Sequence, residues 1–469
     1  MHKQQKALFL TIVTLAWPTL VEQFLQTLVQ YIDAAMVGQI GAEATATVGM
    51  STSVTWLVNG PLLAMGIGFM AYISKAMGAE KMELVRRASV QSIIITILMG
   101  VGVGFLTLLV SPVLPVWMGV EKNIRHDASL YFAMICLPML FRSAIIIFGA
   151  VLRAVGDTKT PMLVNVSMNV INIFLNFLFI YDTRVIKAAG HCVKIFGFGY
   201  GAVGAGMATA VSFVIGGIFM TISLYKNTYV SPRGYKIRPE KEILTPCVRV
   251  GFPVALERIA TCLGHVVFSS LVTELGTVAF AAHSIALTVE QAFYIPGYGM
   301  QTAAATLAGN MIGARDQKKL YEVTRLLLVI ILVIMTVSGA TLFLLAPQLL
   351  ALFTKDSRVI ALGAGVLRMV AVSEPLFGVL VILEGIFNGV GDTVRPFYYA
   401  LFSMWGVRIF FTFLCVHLFH LGLYAVWACM IANNVCLATL FILRYRRGKW
   451  NPLNQQKSAG EKEQGKEYV

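Results

Sequence analysis

The chain repeats itself: residues 18–161 recur in the second half, displaced by a constant 235 positions. The repeat ends in the same tetrapeptide, Val-Gly-Asp-Thr, at 155–158 and again at 390–393. Other identical pairs in this register are Pro18 with Pro253, Glu22 with Glu257, Gly41 with Gly276, Pro61 with Pro296, and Gly78 with Gly313. A series of identities in one register predicts two structurally equivalent halves. Such halves are typical of transporters, in which two related lobes move about a site held between them.

Each half contains six apolar stretches of the length that crosses a bilayer as a helix, about 20 residues. The chain is 57 % hydrophobic and 13 % charged, which excludes an ordinary soluble protein. The predicted spans are 11–35, 46–72, 88–111, 128–151, 161–182, 200–225, 247–272, 279–308, 323–346, 362–388, 397–418 and 421–443. We therefore expect an all-α polytopic membrane protein with twelve transmembrane helices in two pseudo-symmetric six-helix lobes.

The repeat and the polar segments together predict the lobe boundaries. Residues 1–230 form the N-terminal lobe and residues 231–449 the C-terminal lobe, with a polar connector at about 225–246. Because six spans are an even number, both lobes insert in the same orientation. The polar segment 450–469, rich in Gln, Glu and Lys, is expected to be a disordered cytoplasmic tail.

The net charge of +14 reports topology rather than nucleic-acid binding. Of the lysines and arginines, 26 fall on loops that share one side with the N-terminus, 7 fall on the opposite side, and 4 lie within spans. This distribution is the positive-inside bias of membrane proteins. It places both termini in the cytoplasm of a protein in the plasma (inner) membrane, and it predicts no nucleic-acid partner.

Polar residues follow one stripe of the first span, namely Glu22, Gln26, Gln30 and Asp33, at intervals of four, four and three. At helical pitch these side chains share a face, which then points at a partner helix or a wet cavity. Ionisable groups within a membrane are costly and are functional candidates by default. Packing against other polar helices, with a structural role only, is the alternative interpretation.

The fifth span carries four asparagines on one helical face: Asn165, Asn169, Asn172 and Asn176. Amide oxygens coordinate cations, and amides also hydrogen-bond to carboxyl groups. Amides hold transmembrane helices together as well, so the sequence leaves cation binding and interhelical packing equally open.

The second half places its acidic groups differently. Glu257 lies in the seventh span, Glu290 in the eighth and Glu374 in the tenth. His283 lies seven residues before Glu290 and therefore on the same face, whereas His265 is more typical of a hydrogen-bonded core histidine than of a proton relay. We expect no metal site and no cofactor, because the histidines and cysteines form no recognised ligand motif.

Four prolines lie inside predicted spans as two repeat pairs, Pro18 with Pro253 and Pro61 with Pro296. Proline removes a backbone hydrogen bond and bends helices, so a bend common to both lobes is expected at these positions.

Three pairs of motifs resemble those of the multidrug and toxic compound extrusion (MATE) family over residues 10–445. The first half reads WPTLVEQ followed by YIDAAMVGQIGAEATATVG, and the second reads GFPVALER followed by LGTVAFAAHSIALTVEQAFYIPGYGMQTAAATLAGNMIGA. The third pair is LRAVGDTKTP and FNGVGDTVRP.

The resemblance implies specific site residues. Asp33 is similar to the family's first-helix acid, and Asn172 and Asn176 are similar to its fifth-helix partners, although many members carry Asp at the position of Asn176. Glu257 is similar to the seventh-helix acid, and Glu290 to the eighth-helix position. Where some Na⁺-coupled members carry a tenth-helix Asp, this chain has a phenylalanine, with Glu374 one turn earlier.

The resemblance further implies a secondary active multidrug exporter that moves organic cations in antiport with H⁺ or Na⁺. Its expected partners are small organic cations and membrane lipids, and one chain supplies both lobes, so a monomer suffices. The alternatives are a flippase for lipid-linked oligosaccharides, which would require a more basic cavity, and a membrane-embedded enzyme. The sequence shows no nucleophile, metal or cofactor constellation, so we expect no enzyme.

Overall fold

A computed structural model describes residues 3–188 and 191–454 of the chain, which are almost entirely helical. The helices of the first half are α1 Lys3–Gly38, α2 Ala42–Gly78, α3 Met82–Val110, α4 Leu114–Trp117, α5 Arg125–Cys136, α6 Met139–Ala154, α7 Lys159–Phe179 and α8 Gly201–Lys226. Those of the second half are α9 Lys241–Thr273, α10 Thr277–Gly313, α11 Gln317–Ala351, α12 Ser357–Ala371, α13 Glu374–Val390, α14 Val394–Leu401, α15 Phe410–Phe413 and α16 Leu423–Arg446. The π-helical stretch Phe402–Ile409 joins α14 to α15, and a second one, Leu414–Leu418, follows α15 and completes the same span.

The described helices confirm the predicted fold. Ten helical stretches are long and apolar enough to cross a membrane, and two bent helix pairs raise the number of spans to twelve. Each predicted span lies on one of these helices or bent pairs. Most helix ends extend beyond the apolar windows, because hydropathy marks the hydrocarbon-embedded part and not the ends of the helix. An exception is α7, which ends at Phe179, three residues before the predicted end of its span at 182.

The two bent spans are equivalent in the repeat. The α5–α6 pair bends by 44° around 137–138, and the α12–α13 pair bends by 54° around 372–373. Position 373 is position 138 displaced by 235, so the break recurs in register. The first break contains Pro138, which cannot continue the hydrogen-bond ladder. The second has Ser373 at the same place, followed by Pro375 in the first turn of α13.

The four prolines predicted to bend helices lie within α1, α2, α9 and α10, each of which is continuous through its proline. The bends of more than 40° occur at two other places, in the spans formed by α5–α6 and α12–α13. Neighbouring residues of a transmembrane helix accommodate the missing bond, so proline alone does not fix a break. A bend at these prolines during a cycle stays a prediction.

The connection between α7 and α8 contains a β-hairpin, which the sequence did not predict. Strand β1, Asp182–Ala188, pairs antiparallel with β2, His191–Phe198. The hairpin ends at Gly199, whose φ of +70° favours glycine. This connection comprises residues 180–200, whereas its counterpart in the second half comprises residues 419–422. Most of the additional residues form the two strands.

Both Val-Gly-Asp-Thr motifs form the same turn after a helix. Gly156 and Gly391 have φ of +86° and +83°, a left-handed conformation that ends α6 and α13. The aspartate that follows is used similarly in the two halves. Asp157 accepts hydrogen bonds from Thr160 N and Asn227 Nδ2, and Asp392 accepts two from Arg444. The motif thus ties the end of the fourth span to the end of the sixth.

The described residues form two compact units that do not coincide with the two sequence halves. One combines residues up to 20, residues 70–82 and the described residues from 246 onward. The other combines residues 21–69 and 83–245. We call them the first and the second unit. The units are defined by packing, whereas the predicted lobes are defined by the repeat, so the predicted boundary at 230 stays a prediction.

The first unit holds a core that contains the start of the predicted tail. Trp450 is 2 % exposed and stacks on Tyr445, while its indole Nε1 donates to the Tyr445 carbonyl. Asn454 binds Gly448 and Tyr321. The prediction of a disordered segment from residue 450 is therefore wrong for 450–454, because Trp450 has an apolar pocket to fill. The rest of the predicted tail, 455–469, lies outside the described residues.

Within the first unit, the end of α2 crosses the end of α10 at two equivalent glycines. A Cβ on Gly78 would lie 1.9 Å from the Asn310 carbonyl oxygen, and a Cβ on Gly313 would lie 2.0 Å from the Lys75 carbonyl oxygen. Gly313 is Gly78 displaced by 235, and Asn310 is likewise the repeat partner of Lys75. The contact is therefore symmetric, and it requires glycine on both helices.

Candidate functional site

The second unit brings Asp33 against the asparagine face of α7. Asn176 Nδ2 donates to Asp33 Oδ1 at 2.6 Å and also lies 3.2 Å from Asn172 Oδ1. Asn172 Nδ2 donates in turn to Thr209 Oγ1 on α8 at 3.3 Å. These side chains form one connected polar network across three helices. The residues predicted from the resemblance, Asp33, Asn172 and Asn176, are thus brought together.

This network, which we call the Asp33 network, leaves oxygen atoms available to a ligand. Asn176 is 1 % exposed, and its Oδ1 has no hydrogen-bond partner among the described residues. A buried polar atom without a partner is unfavourable unless water, a proton or an ion occupies the place. The Asn176 oxygen and the Asp33 carboxylate together offer the hard oxygen ligands that a small cation prefers.

Glu22 belongs to a second cluster, although it shares a helix stripe with Asp33. Asn165 Nδ2 donates to Glu22 Oε1 at 2.7 Å, and Arg153 Nη1 lies 3.4 Å from Glu22 Oε2. Eleven residues of helix separate Glu22 from Asp33, which is about 16 Å. Both acids of the stripe thus face the partner helix α7, at two levels and with different polar partners. A function of the stripe as a whole stays a prediction.

The glutamines between these acids do not join either cluster. Gln26 and Gln30 are exposed, and no hydrogen bond among the described residues ties them to Glu22 or Asp33. Asn169, between the two asparagines that bind the acids, is half-buried. A role of Gln26 and Gln30 in binding stays a prediction.

In the first unit, Glu290 lies in an aromatic cluster on α10 and α13. It is 2 % exposed and accepts a short hydrogen bond from the hydroxyl of Tyr294, one turn later on the same helix. The Tyr294 ring stacks on Phe377 with centroids 3.8 Å apart, and Tyr298 meets the same phenylalanine edge-on. Phe377 thus packs on the tyrosine that donates to the Glu290 carboxylate.

Glu374 lies immediately after the break between α12 and α13. It is 1 % exposed, and neither carboxylate oxygen has a hydrogen-bond partner among the described residues. The α11 backbone packs against it, since a Cβ on Gly339 would lie 3.1 Å from the Glu374 Cβ. An unpaired carboxylate at this depth requires a proton or a cation. A helix break places it there, as in transporters that bind ions at discontinuous helices.

Glu257 is half-buried on α9, and no hydrogen bond or ion pair ties it to a described residue. Its neighbour Arg258 pairs instead with Glu384 on α13, with Nη2 and Oε1 3.3 Å apart. Glu257 therefore has surroundings of its own, whereas Glu290 and Glu374 lie close enough for their charges to act on each other. Their common role as a cation site stays a prediction.

Sequence reasoning missed three residues at these sites. Arg153 was counted as a topological charge at the end of a span, and nothing in the local sequence marks it as the partner of Glu22. Tyr294 follows Glu290 by four residues, so helical spacing identifies it as a neighbour. Thr209 has no such mark, because a threonine inside a span is common.

Comparison with protein families supports the repeat and the fold. The MatE family model matches residues 18–178 and 253–414, two segments that begin 235 residues apart. The chain is 29 % identical over 440 residues to a probable multidrug resistance protein NorM of Thermotoga maritima, covering 94 % of this chain and 92 % of that protein.

Solved structures agree with this assignment. The chain superposes with a TM-score of 0.86 and 25 % identity on a multidrug resistance MATE family transporter of the MOP superfamily in an outward-facing conformation, covering 94 % of this chain and 96 % of that one. A MOP superfamily transporter from Pyrococcus furiosus, for which a reverse polarity of the binding pocket suggests a different function, gives the same TM-score and identity, covering 95 % and 96 %. The chain belongs to the MatE family of integral membrane proteins.

Proposed function

We propose that the protein is a secondary active transporter that exports organic cations in antiport with H⁺ or Na⁺. The observation that carries the proposal is the Asp33 network in the second unit. It combines a carboxylate with amide oxygens inside transmembrane helices. The names of the relatives, which include a probable multidrug resistance protein, support the substrate class.

Asp33 is suited to exchange because one carboxylate serves two kinds of cation. Na⁺ would take oxygen ligands from Asp33 and from the free Oδ1 of Asn176, whereas H⁺ would neutralise the carboxylate directly. Either event removes the negative charge that attracts an organic cation. Binding of the coupling ion and binding of the drug therefore exclude each other at this position.

The second half contributes the remaining predicted sites, Glu257, Glu290 and Glu374. Glu374 has two buried oxygens without a partner, so it is the acid in this half that most needs a proton or an Na⁺. The aromatic rings beside Glu290 provide faces on which an organic cation stacks favourably. Glu22, held by Arg153, is proposed to support the first helix rather than to exchange ions.

Coupling requires that the ion and the drug favour different conformations. A ligand shifts a two-state equilibrium only by its difference in affinity for the two states, and a shift from 1:99 to 99:1 requires about 5.5 kcal/mol. The breaks in the α5–α6 and α12–α13 spans offer equivalent places for a change in helix direction. We propose a plasma (inner) membrane location with both termini cytoplasmic, and a monomer as the working unit.

The flippase alternative requires a cavity in which arginines converge on phosphate. The four span arginines have separate surroundings: Arg142 lies over Phe213, Arg258 pairs with Glu384, Arg368 lies over Phe343, and Arg408 lies over Phe268. This dispersal favours the exporter over the flippase.

The test is ethidium efflux from proteoliposomes under an imposed pH gradient or an imposed Na⁺ gradient. Efflux under one gradient would name the coupling ion. Asp33→Asn should reduce that efflux at least about 10-fold, because the amide cannot exchange a proton or balance a cation. The matched control is Asp127→Asn, the same change at an exposed outer position of the same unit, which should leave efflux unchanged.

Folding is monitored by size-exclusion profile and melting temperature for each variant. Normal efflux by a well-folded Asp33→Asn protein would refute the role of Asp33. Absence of efflux under both gradients from folded wild-type protein would refute the exporter, and lipid-linked substrates would then be assayed.

A further inference from the structure

The position that corresponds to Asp33 in the second half carries the opposite chemistry. Displacement by 235 turns Asp33 into Phe268, and it turns Asn172 and Asn176 into Val407 and Phe411. Between the last two lies Arg408, the repeat partner of an isoleucine. An acid with amide partners in one half is therefore replaced by an arginine among apolar and aromatic side chains in the other.

The structure assembles these residues into one buried cluster in the first unit. The Arg408 guanidinium lies over the Phe268 ring, with Cζ 4.0 Å from the ring centroid. His283 meets the same phenylalanine edge-on at 5.6 Å, and Trp427 meets His283 edge-on at 5.8 Å. Four spans thus contribute one residue each. We call this set, Phe268, His283, Arg408 and Trp427, the Arg408 cluster.

Several hydrogen-bond donors of the Arg408 cluster have no partner among the described residues. These are Arg408 Nε and Nη2 and Trp427 Nε1, and both ring nitrogens of His283 are equally unpartnered. Arg408 is 5 % exposed, His283 1 % and Trp427 0 %. Tryptophan and arginine donate and cannot accept. Nitrogen donors therefore outnumber acceptors at this place, which is the reverse of the Asp33 network.

No carboxylate neutralises Arg408 at short range. Among the described residues its side chain forms no ion pair within 4.0 Å. Glu290 is the acid whose charge acts on it from farther away, and the oxygen of Glu290 is engaged by the Tyr294 hydroxyl. A buried guanidinium without a close counter-ion is unfavourable, and water supplies hydrogen bonds but no compensating charge. An anionic group would supply both.

We propose that the Arg408 cluster is a recognition site for a carboxylate of a zwitterionic substrate. Arg408 would bind the carboxylate oxygens, and Trp427 Nε1 and His283 would complete the set of donors. Glu290 would bind the positive end of such a substrate. It follows His283 by seven residues on α10, which places it about 10 Å farther along that helix. This inference rests on the proposed export of organic cations and extends it to substrates that also carry a negative charge.

The test compares two dyes that differ only in one carboxyl group. Rhodamine 110 carries a free carboxylate beside its cationic ring system, and rhodamine 123 is its methyl ester. Binding of each dye to the purified full chain is measured by fluorescence polarisation, and efflux of each is measured from proteoliposomes. The informative quantity is the ratio of the two dissociation constants, since it cancels effects common to both dyes.

Arg408→Gln should weaken binding of the free acid relative to the ester by about 10-fold or more, because a charge-assisted hydrogen bond to the carboxylate is lost. Trp427→Phe removes only the Nε1 donor and should shift the same ratio by about 3-fold. The latter variant keeps an aromatic ring and serves if Arg408→Gln does not fold. Arg368→Gln is the matched control, an exposed arginine of the same unit that also lies over a phenylalanine, and it should leave the ratio unchanged.

An unchanged ratio in both Arg408→Gln and Trp427→Phe would overturn the inference while the proposed function stands, provided that the ester is still exported. Equal weakening of both dyes would also overturn it and would assign Arg408 to folding or to pairing with Glu290. Failure of the wild-type protein to bind rhodamine 110 while it binds rhodamine 123 would also overturn the inference, and absence of ethidium efflux would separately overturn the proposed function.

Discussion

Glu22 and Glu257 occupy the same position of the repeat, yet their surroundings differ. Glu22 is ion-paired with Arg153 and accepts a hydrogen bond from Asn165. Glu257 forms neither contact, and the arginine beside it pairs with Glu384 instead. The repeat partner of Arg153 is Asn388, which has no charge to offer. The carboxylate at this repeat position is therefore held by an ion pair and a hydrogen bond in the first half, and by neither in the second.

Backbone features differ much less between the halves. The break of the fourth span recurs in the tenth, the turn after each of these spans has a left-handed glycine, and the crossing of α2 with α10 uses equivalent glycines. These features depend on proline, glycine and close helix packing, and not on the charges carried nearby. The two halves therefore share backbone features while their charged residues differ.

The largest expected effect tests the two ion pairs that distinguish the halves. Arg153→Met should lower the free energy of unfolding by about 3 kcal/mol, because removing one partner of a buried pair leaves the other charge uncompensated. Arg258→Met should cost about 1 kcal/mol, since the Arg258 side chain is 38 % exposed against 15 % for Arg153. Equilibrium unfolding in mixed micelles measures both values.

The double variant Arg153→Met with Glu22→Gln serves as the control for this prediction. It removes the uncompensated charge and should recover most of the lost stability, as expected for a coupled pair. Equal losses of unfolding free energy in Arg153→Met and Arg258→Met would contradict the prediction. They would show that the two ion pairs stabilise their halves equally, although the surroundings of Glu22 and Glu257 differ.

An intermediate effect tests a feature that the halves share. Gly78→Ala and Gly313→Ala should each cost about 1 to 3 kcal/mol, because the added methyl would lie about 2 Å from a backbone carbonyl oxygen of the other helix. Gly102→Ala is the control, since nothing lies within 4 Å of its Cβ position and alanine favours a helix. Melting temperatures of the three variants measure the effect.

The two variants should destabilise by similar amounts, because each glycine meets the equivalent residue of the opposite helix. A large loss of stability for Gly78→Ala with none for Gly313→Ala would show that one helix shifts to accommodate the methyl group. The crossing would then be symmetric in geometry but not in its contribution to stability.

The fold was predictable because it depends on the length of apolar segments and on a repeat that any comparison of the halves reveals. The Asp33 network was predictable in part, since the spacing of asparagines on α7 placed them on one face. Its partner acid was assigned through the resemblance. The different partners of Glu22 and Asp33 were not predictable, because they depend on how α6 and α7 pack against α1, and helix spacing contains no information about that.

The Arg408 cluster was not predicted from the sequence, although a guanidinium within a span is costly and is a functional candidate on that ground. Its donor-rich surroundings come from residues that are distant in the sequence, such as Trp427 and His283, and only the folded structure brings them together. Trp450 shows a limit of composition as a guide. The polar composition of 450–469 predicts disorder, but the buried Trp450 side chain anchors the start of that segment.

The smallest expected effect tests the turns that follow the fourth and tenth spans. Gly156→Ala and Gly391→Ala should each cost about 1 to 2 kcal/mol, because a side chain disfavours the left-handed φ of +86° and +83°. The loss should be slightly larger at Gly391, where a Cβ would also meet Val250 at 3.2 Å and Lys75 at 3.3 Å. Asparagine tolerates this conformation better than alanine, so Gly156→Asn should recover part of the loss. The unfolding free energy should be highest for the wild type, lower for Gly156→Asn and lowest for Gly156→Ala, with a similar loss for Gly391→Ala. This order would show that the left-handed backbone conformation requires glycine in both turns. A loss at one turn only would mean that the two halves share a sequence motif without sharing its energetics.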